Sequence, residues 1–368
     1  VTNKVDVVVD LQFGSTGKGL IAGYLAKTNN YDTVINANMP NAGHTFVDRD
    51  GRKWMHKVLP NGIVSPGLEK VMIGPGSVFS LDRLMLELTN SADILAAGIP
   101  IIIHEDAMVL HDEHIQAENK LLSRISSTMQ GSAAAAIDKI LRDSYNDQRA
   151  KKKINFSWKK MAKDEGFDVV LASNDVWLDM LHDSKSTLLE GAQGYSLGIN
   201  AGFWPYCTSR DCTPARFMAD CGVPLGMLNK VIGTARLHPI RVGNTPDGYS
   251  GDCYSDQHEI SWEDLGVGPE MTTVTGRKRR VFTFSDEQMR SAIMACQPNE
   301  VFLNFCNYDP DIVELTIGKI NGLLQLHVNN GGSVRYTGWG PKETDVRERH
   351  FLNPCDYNEK QIDEGWVQ

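Results

Sequence analysis

The chain reads as an α/β protein with a largely parallel central sheet and helices on both faces. Three observations predict this. A valine-rich run, Val5–Leu11, is followed by a glycine-punctuated loop, a helical pattern and a second β-like run. Short β-like runs then alternate with helical stretches along most of the chain. Glycine-rich joints stand at Gly191–Gly202 and Gly243–Gly251, where functional loops rather than linkers are expected. A strand, a helical crossover and a second strand imply parallel pairing, and repeated alternation implies helices over both sheet faces.

The elements follow in order. Val5–Leu11 is apolar enough for a strand buried on both sides. Gln12–Gly19 is a loop, Leu20–Lys27 a helix and Thr33–Asn38 a second strand. Further strands are expected at Lys70–Ile73, Pro100–His104, Thr187–Leu189, Lys230–Ala235 and Val301–Phe305. Helices are expected at Leu81–Leu88, His111–Ile125, Ala133–Arg142, Val169–Leu181 and Asp286–Cys296. The charged, polar stretch Asp143–Lys160 reads as a surface excursion. No repeat, low-complexity tract or boundary divides the chain, so residues 1–368 are expected to form one elaborated domain.

Composition excludes several classes. With 41% hydrophobic residues over 368 positions, the chain can bury a large core. Its net charge of -9 argues against nucleic-acid binding, which is driven by counterion release from phosphates. Seven scattered cysteines suit a reducing compartment, and the Cys207 and Cys212 pair lacks the second pair a structural zinc site needs. No charged-then-apolar leader and no apolar run of the ~20 residues a membrane helix needs is present. A soluble, cytoplasmic protein with no membrane partner is expected.

Two loops carry chemistry. In Gly14-Ser15-Thr16-Gly17-Lys18-Gly19, between strand and helix, successive N–H groups can cradle an anion beside the helix N-terminus. Lys18 adds a point charge. An ordinary tight turn is the competing reading. This is not a Walker A loop: Gln12 and Gly19 stand where that motif has glycine and Ser or Thr. The fold is therefore P-loop-NTPase-like without a true Walker A. The second loop, Asn41-Ala42-Gly43-His44-Thr45, follows the next strand. In a parallel sheet both loops would lie at the carboxyl ends of neighbouring strands, where ligands bind. His44 would then act on the same ligand; a solvated surface histidine is the alternative.

Together these loops resemble the adenylosuccinate synthetase family, which carries Gly-Asp-Glu-Gly-Lys-Gly and Asn-Ala-Gly-His-Thr in this order. Lys57–Ile63, Glu190–Gly194, Thr208-Ser209 and the basic run Thr275–Arg280 match later family segments, so the resemblance spans most of the chain. It implies a ligase that joins aspartate to a purine monophosphate in two steps, through a 6-phosphoryl purine.

Residue by residue, the resemblance implies that Asn41, Thr128, Gln193 and Thr208 hold the monophosphate and that Val242 touches its ribose. Arg142 would reach into a neighbouring subunit's site, which implies a homodimer. Thr275 and Arg277 would capture aspartate, for which a planar guanidinium is suited. Gly14, Thr16, Gly17, Lys18, Gly19, Gly43, Thr45, Arg279, Asn304 and Asn307 would hold the triphosphate. Ser15, Lys18 and His44 would form the catalytic group. Mg²⁺ would bridge phosphates with Ser15 and the Gly43 carbonyl as ligands.

Two departures from the family pattern matter. Ser15 replaces the aspartate that takes the N1 proton of inosine monophosphate and binds metal. Serine is shorter, is no base near neutral pH, and can accept from an exocyclic amine. Asn307 replaces the aspartate that reads the guanine of GTP, and Phe305 replaces a lysine. An asparagine amide can both donate to adenine N1 and accept from its 6-amino group. Both changes resemble the bacteriophage branch of the family, the 2-amino-2'-deoxyadenylosuccinate synthetases. That branch implies dGMP, aspartate and ATP or dATP as substrates, and the host cytoplasm as location. The alternatives are an ordinary enzyme using inosine monophosphate and GTP, and an inactive nucleotide-binding regulator.

Overall fold

The computed structural model describes residues 3–95, 98–272 and 276–349. Its centre is a ten-stranded sheet. In chain order the strands are β1 (Lys4–Asp10), β2 (Thr33–Asn36), β3 (Lys70–Ile73), β4 (Ile101–His104), β5 (Val169–Ala172), β6 (Ser186–Glu190), β7 (Leu228–Arg236), β8 (Glu300–Asn304), β9 (Ser333–Gly338) and β10 (Val346–Glu348). Across the sheet they run β10-β9-β8-β7-β1-β6-β2-β3-β4-β5. All neighbours pair parallel except β9 and β10.

The alternation of side chains along β1 sends its valines to both faces of the sheet. Val5, Val7 and Val9 enter one core with Trp177, Phe217, Ile293 and Ile317. Val8 enters the other with Leu20, Ile21, Leu25, Phe46 and Ile63. Both faces are covered, as parallel sheets require. A Leu25→Ala change in the second core would cost about 2–5 kcal/mol.

Three sequence expectations are corrected. Val169–Leu181 is not one helix: Val169–Ala172 is the edge strand β5, and a helix runs over Asn174–His182. The β-branched, apolar start of that segment pairs with β4, and Ser173 stands at the helix N-cap. The predicted helix His111–Ile125 breaks into Asp112–Leu121 and a short 3-10 turn, Ser123–Ile125. The strands bearing the two motif loops are not neighbours, because β6 lies between β1 and β2. The stretch Asp143–Lys160 does run along the surface, with Tyr145 and Phe156 exposed, but buried Ala150 and Ile154 pin it down. Among the described residues no helix is long and apolar enough to cross a membrane.

Candidate active site

Insertion of β6 has a direct effect on the site. The loops after β1, β2, β6, β7 and β8 all leave the carboxyl edge of the sheet around one cavity of about 850 Å³. That volume lies within the range of small-molecule sites. The loop after β6, carrying Gln193, falls between the two motif loops.

The phosphate loop is organised by a residue the sequence reading missed. Asp10, the fully buried last residue of β1, accepts from the backbone N–H groups of Gln12 (2.8 Å) and Gly14 (3.3 Å) through Oδ1. Its Oδ2 accepts from Thr16 Oγ1 (2.5 Å) and Lys18 Nζ (3.1 Å). Lys18 also donates to the Gln193 carbonyl at 2.6 Å. The ammonium is thereby fixed at the cavity wall, at the start of the helix Lys18–Asn29. That helix has no acidic residue in its first turn, so its N-terminus is open to an anion. Thr16 is buried behind the loop rather than on the cavity wall, its hydroxyl also meeting Thr234.

Close approach explains two glycines. A Cβ on Gly17, whose φ is +93°, would lie 2.1 Å from Asn304 Nδ2. A Cβ on Gly19 would lie 2.8 Å from both Thr45 N and Thr45 O. The first glycine lets the loop rest on β8 and the second lets the helix rest on the His44 loop. Asn304 lines the cavity, but its amide is spent on structure, donating to Thr16 O and accepting from Phe305 N.

His44 begins a short strand, His44–Val47, and faces the cavity. Its Nδ1 lies 2.6 Å from Glu190 Oε1, and Glu190 Oε2 accepts from Asn61 N at 2.6 Å. A carboxylate can only accept, so Nδ1 carries a proton and Nε2 is the nitrogen left for a ligand. Glu190 is almost wholly buried. The sequence signal was the glutamate at the carboxyl end of β6, read only as part of a motif.

The expected monophosphate residues are brought together. Gln193 Nε2 donates to Asn41 Oδ1 (2.9 Å), and Asn41 Nδ2 donates to Thr208 Oγ1 (3.3 Å). Gln193 Oε1 is buried and has no hydrogen-bond partner among the described residues. Thr128 and Val242 line the same cavity. Arg142 does not: it is the exposed left-handed cap of the helix Ser132–Leu141, outside its own chain's cavity. Arg277 bridges two wall segments, donating to the carbonyls of Gly243, Ser126 and Ser127 at 3.1 Å each. Thr275 lies outside the described residues.

Ser15 stands on the wall with a left-handed backbone (φ 56°). Arg279 Nη1 donates to its hydroxyl oxygen at 2.7 Å, and Arg236 Nη1 donates to its carbonyl at 3.2 Å. The hydroxyl keeps one hydrogen to donate and one lone pair to accept with. Next to it, Phe305, Asn307 and Tyr308 form the wall beyond β8. Phe305, also left-handed at φ 59°, covers the Arg236 guanidinium 3.8 Å from its ring centroid.

The implied Mg²⁺ finds little in this donor set. Asp10 has both oxygens committed, and Ser15 offers a neutral hydroxyl already receiving a cationic donor. Ser15 therefore offers a metal only the one lone pair that Arg279 leaves it. The Gly43 backbone lines the cavity beside Thr45 and offers a carbonyl, a hard neutral ligand of the kind Mg²⁺ accepts.

Known proteins resemble this arrangement throughout its length. The family model described as adenylosuccinate synthetase matches residues 7–165 and 145–319. The chain belongs to the adenylosuccinate synthetase family. Within the family it is 54% identical to the N6-succino-2-amino-2'-deoxyadenylate synthase of Vibrio phage phiVC8, over 94% of this chain and 98% of that one. It is 45% identical to the protein of the same name from Acinetobacter phage SH-Ab 15497, over 92% and 91%. The solved succinoaminodeoxyadenylate synthetase of cyanophage S-2L, bound to dGMP and to dATP as an energy donor, superposes with a TM-score of 0.83. It shares 38% identity over 95% of this chain and 96% of that one. The fully ligated adenylosuccinate synthetase of Plasmodium falciparum shares the fold, with a TM-score of 0.72 at 18% identity, covering 95% of this chain and all of that one. The bacteriophage branch is thus the part of the family this chain resembles at high identity, as Ser15 suggested.

Proposed function

We propose that this enzyme joins L-aspartate to C6 of dGMP while cleaving ATP or dATP, giving 2-amino-2'-deoxy-N6-succinyladenylate. The observation that carries the reading is Ser15. Where the ordinary family has a carboxylate, this cavity has a short hydroxyl held by Arg279. Its free lone pair suits the guanine 2-amino group, and its small size leaves room for it. High identity to phage enzymes named for the 2-amino product, and a solved relative holding dGMP and dATP, support the same conclusion.

The purine O6 attacks the γ-phosphorus; the O6–P bond forms as the bond to the β-phosphate oxygen breaks. Such a step depends on positioning and charge neutralisation. Lys18, fixed by Asp10 and the Gln193 carbonyl, neutralises the phosphoryl oxygens. His44, oriented by Glu190, donates from Nε2 toward O6 as negative charge gathers there. The aspartate amine then attacks C6 and inorganic phosphate leaves.

Asn41, Gln193 and Thr208 hold the monophosphate, and Asn307 reads the adenine of the triphosphate. Val242 meets the deoxyribose, and Arg277 with Thr275 captures aspartate. The Gly43 carbonyl would hold Mg²⁺, which would supply neutralisation of the triphosphate's charge. Arg142 completes the site of a second copy in a homodimer, in keeping with its position outside its own cavity.

The test is phosphate release with aspartate, comparing dGMP, GMP and IMP, each with ATP, dATP and GTP. The dGMP reaction with an adenine triphosphate should be the most efficient. Ser15→Asp should erode the preference for dGMP over dIMP, because the longer carboxylate crowds the 2-amino group. A wild-type enzyme that favours dIMP, or a ratio unmoved by the substitution, would remove Ser15 from base selection.

A further inference from the structure

Two arginines bind Ser15, and one carboxylate binds both arginines. Glu270 Oε1 accepts from Arg236 Nη2 at 2.5 Å, and Oε2 accepts from Arg236 Nη1 at 3.3 Å. Oε2 also forms an ion pair with Arg279 Nε at 3.9 Å, while the Glu270 carbonyl accepts from Arg279 N at 2.9 Å. Tyr308 OH donates to Oε1 at 3.0 Å. The Arg236 side chain is fully buried under Phe305, and those of Arg279 and Glu270 are only 15% and 20% exposed. Burial pushes the Glu270 carboxyl up, but the two guanidinium groups outweigh it and hold it below the ordinary glutamate value.

Two guanidinium groups this close and this buried repel one another unless an anion stands between them. Glu270 is that anion. Without its charge, Arg279 has less reason to remain on the cavity wall and the Ser15 hydroxyl loses the donor that fixes its rotation. The same carboxylate is bound by Tyr308, on the segment where the triphosphate's base is expected. A charged bridge therefore runs from Tyr308 to Glu270, and from Glu270 through Arg236 to the Ser15 carbonyl and through Arg279 to the Ser15 hydroxyl, with Phe305 covering Arg236.

We propose that Glu270 is a positioning residue for base selection: it holds Arg279 on the Ser15 hydroxyl and ties Ser15 to the Phe305–Tyr308 segment. The selecting group for one nucleotide is thereby set from the half of the cavity that takes the other. This rests on the reading that Ser15 meets the guanine 2-amino group.

The experiment is a double-mutant cycle read in the ratio of kcat/KM for dGMP and dIMP, at saturating ATP and aspartate. Glu270→Gln keeps the shape and removes the charge. It should lower the ratio on the order of tenfold, the scale of a lost hydrogen bond to a charged group. In a Ser15→Ala background it should lower the ratio no further, because the group it acts through is gone. Tyr308→Phe removes a single hydroxyl and tests the same path with less risk to folding. Its ratio should fall by about two- to threefold, the low end of a hydrogen bond's net worth, and again only when Ser15 is present. A general loss of structure would lower both efficiencies together and leave the ratio alone, which would overturn the proposal. So would effects of Glu270→Gln and Ser15→Ala that simply multiply. If the wild type shows no preference for dGMP, the reading of Ser15 falls and the proposal with it. A clear wild-type preference with independent effects removes Glu270 alone.

Discussion

Replacing Glu190 with glutamine tests the contact that holds the His44 ring. Both oxygens of Glu190 are used, on His44 Nδ1 and on Asn61 N, each at 2.6 Å, in a site closed to water. Glutamine keeps the volume but has one acceptor and one donor. Whichever way the amide turns, its NH₂ faces a donor, either the imidazole Nδ1–H or the Asn61 N–H. The ring loses a hydrogen bond to a charged acceptor worth about 1.5–3 kcal/mol. Because the ring must be held most firmly when O6 becomes negative, the loss should appear in kcat, as a fall of roughly 10- to 150-fold. KM for dGMP and ATP should change much less. The assay is phosphate release at saturating dGMP, ATP and aspartate, with thermal unfolding as a check on the fold. His44→Ala should cost about a hundredfold or more, the scale of a lost transition-state donor. The two changes together should cost little more than His44→Ala alone, since Glu190 acts through the ring. A folded Glu190→Gln enzyme with kcat within threefold of wild type would refute the argument.

Other expectations concern the remaining contacts. Arg142→Ala should weaken dGMP binding without unfolding the chain. Mixing it with a Lys18→Ala enzyme should restore part of the activity, because one site of the mixed dimer then has both residues intact; a fully active monomer would contradict this. Asn307→Asp should raise KM for ATP and dATP, since a carboxylate cannot donate to adenine N1. An unchanged KM would show that Asn307 does not read the base.

Much of the fold was legible because strands buried on both faces are written as contiguous apolar runs. Val5–Leu11 is one, and nearly all of it is buried. The same rule misled at Val169–Leu181, where a short buried strand runs straight into an amphipathic helix and only Ser173 marks the join. The helix Val313–His327 and the strand Ser333–Gly338 went unread. In that strand Val334 and Tyr336 are buried on either side of exposed Arg335, an alternation that could have been seen.

The site divided in the same way. Loops whose chemistry is local, Gly14–Gly19 and Asn41–Thr45, could be read residue by residue. Asp10, Arg236 and Glu270 could not. Their roles come from partners far along the chain: Arg236 meets Ser15 across 221 positions. Ser15 and Asn307 were legible as departures from a pattern, but the guanidinium on the Ser15 hydroxyl was not, since nothing in a basic run says where its second arginine, Arg279, turns.

The place of β1 in the sheet bears on how the protein comes to be made. Its two neighbours, β6 and β7, are Ser186–Glu190 and Leu228–Arg236, so the strand that carries the phosphate loop has no lasting partner until about half of these residues have been synthesised. The loop is the earliest of the site's segments in chain order and among the last to be held, because Gln193, Thr234, Arg236 and Asn304 all close on it from behind. Pairings this distant are slow to form, and an unpaired strand with four valines is adhesive while it waits. A chain interrupted before Ser186 would therefore carry the recognisable nucleotide motif and none of the means to hold its shape.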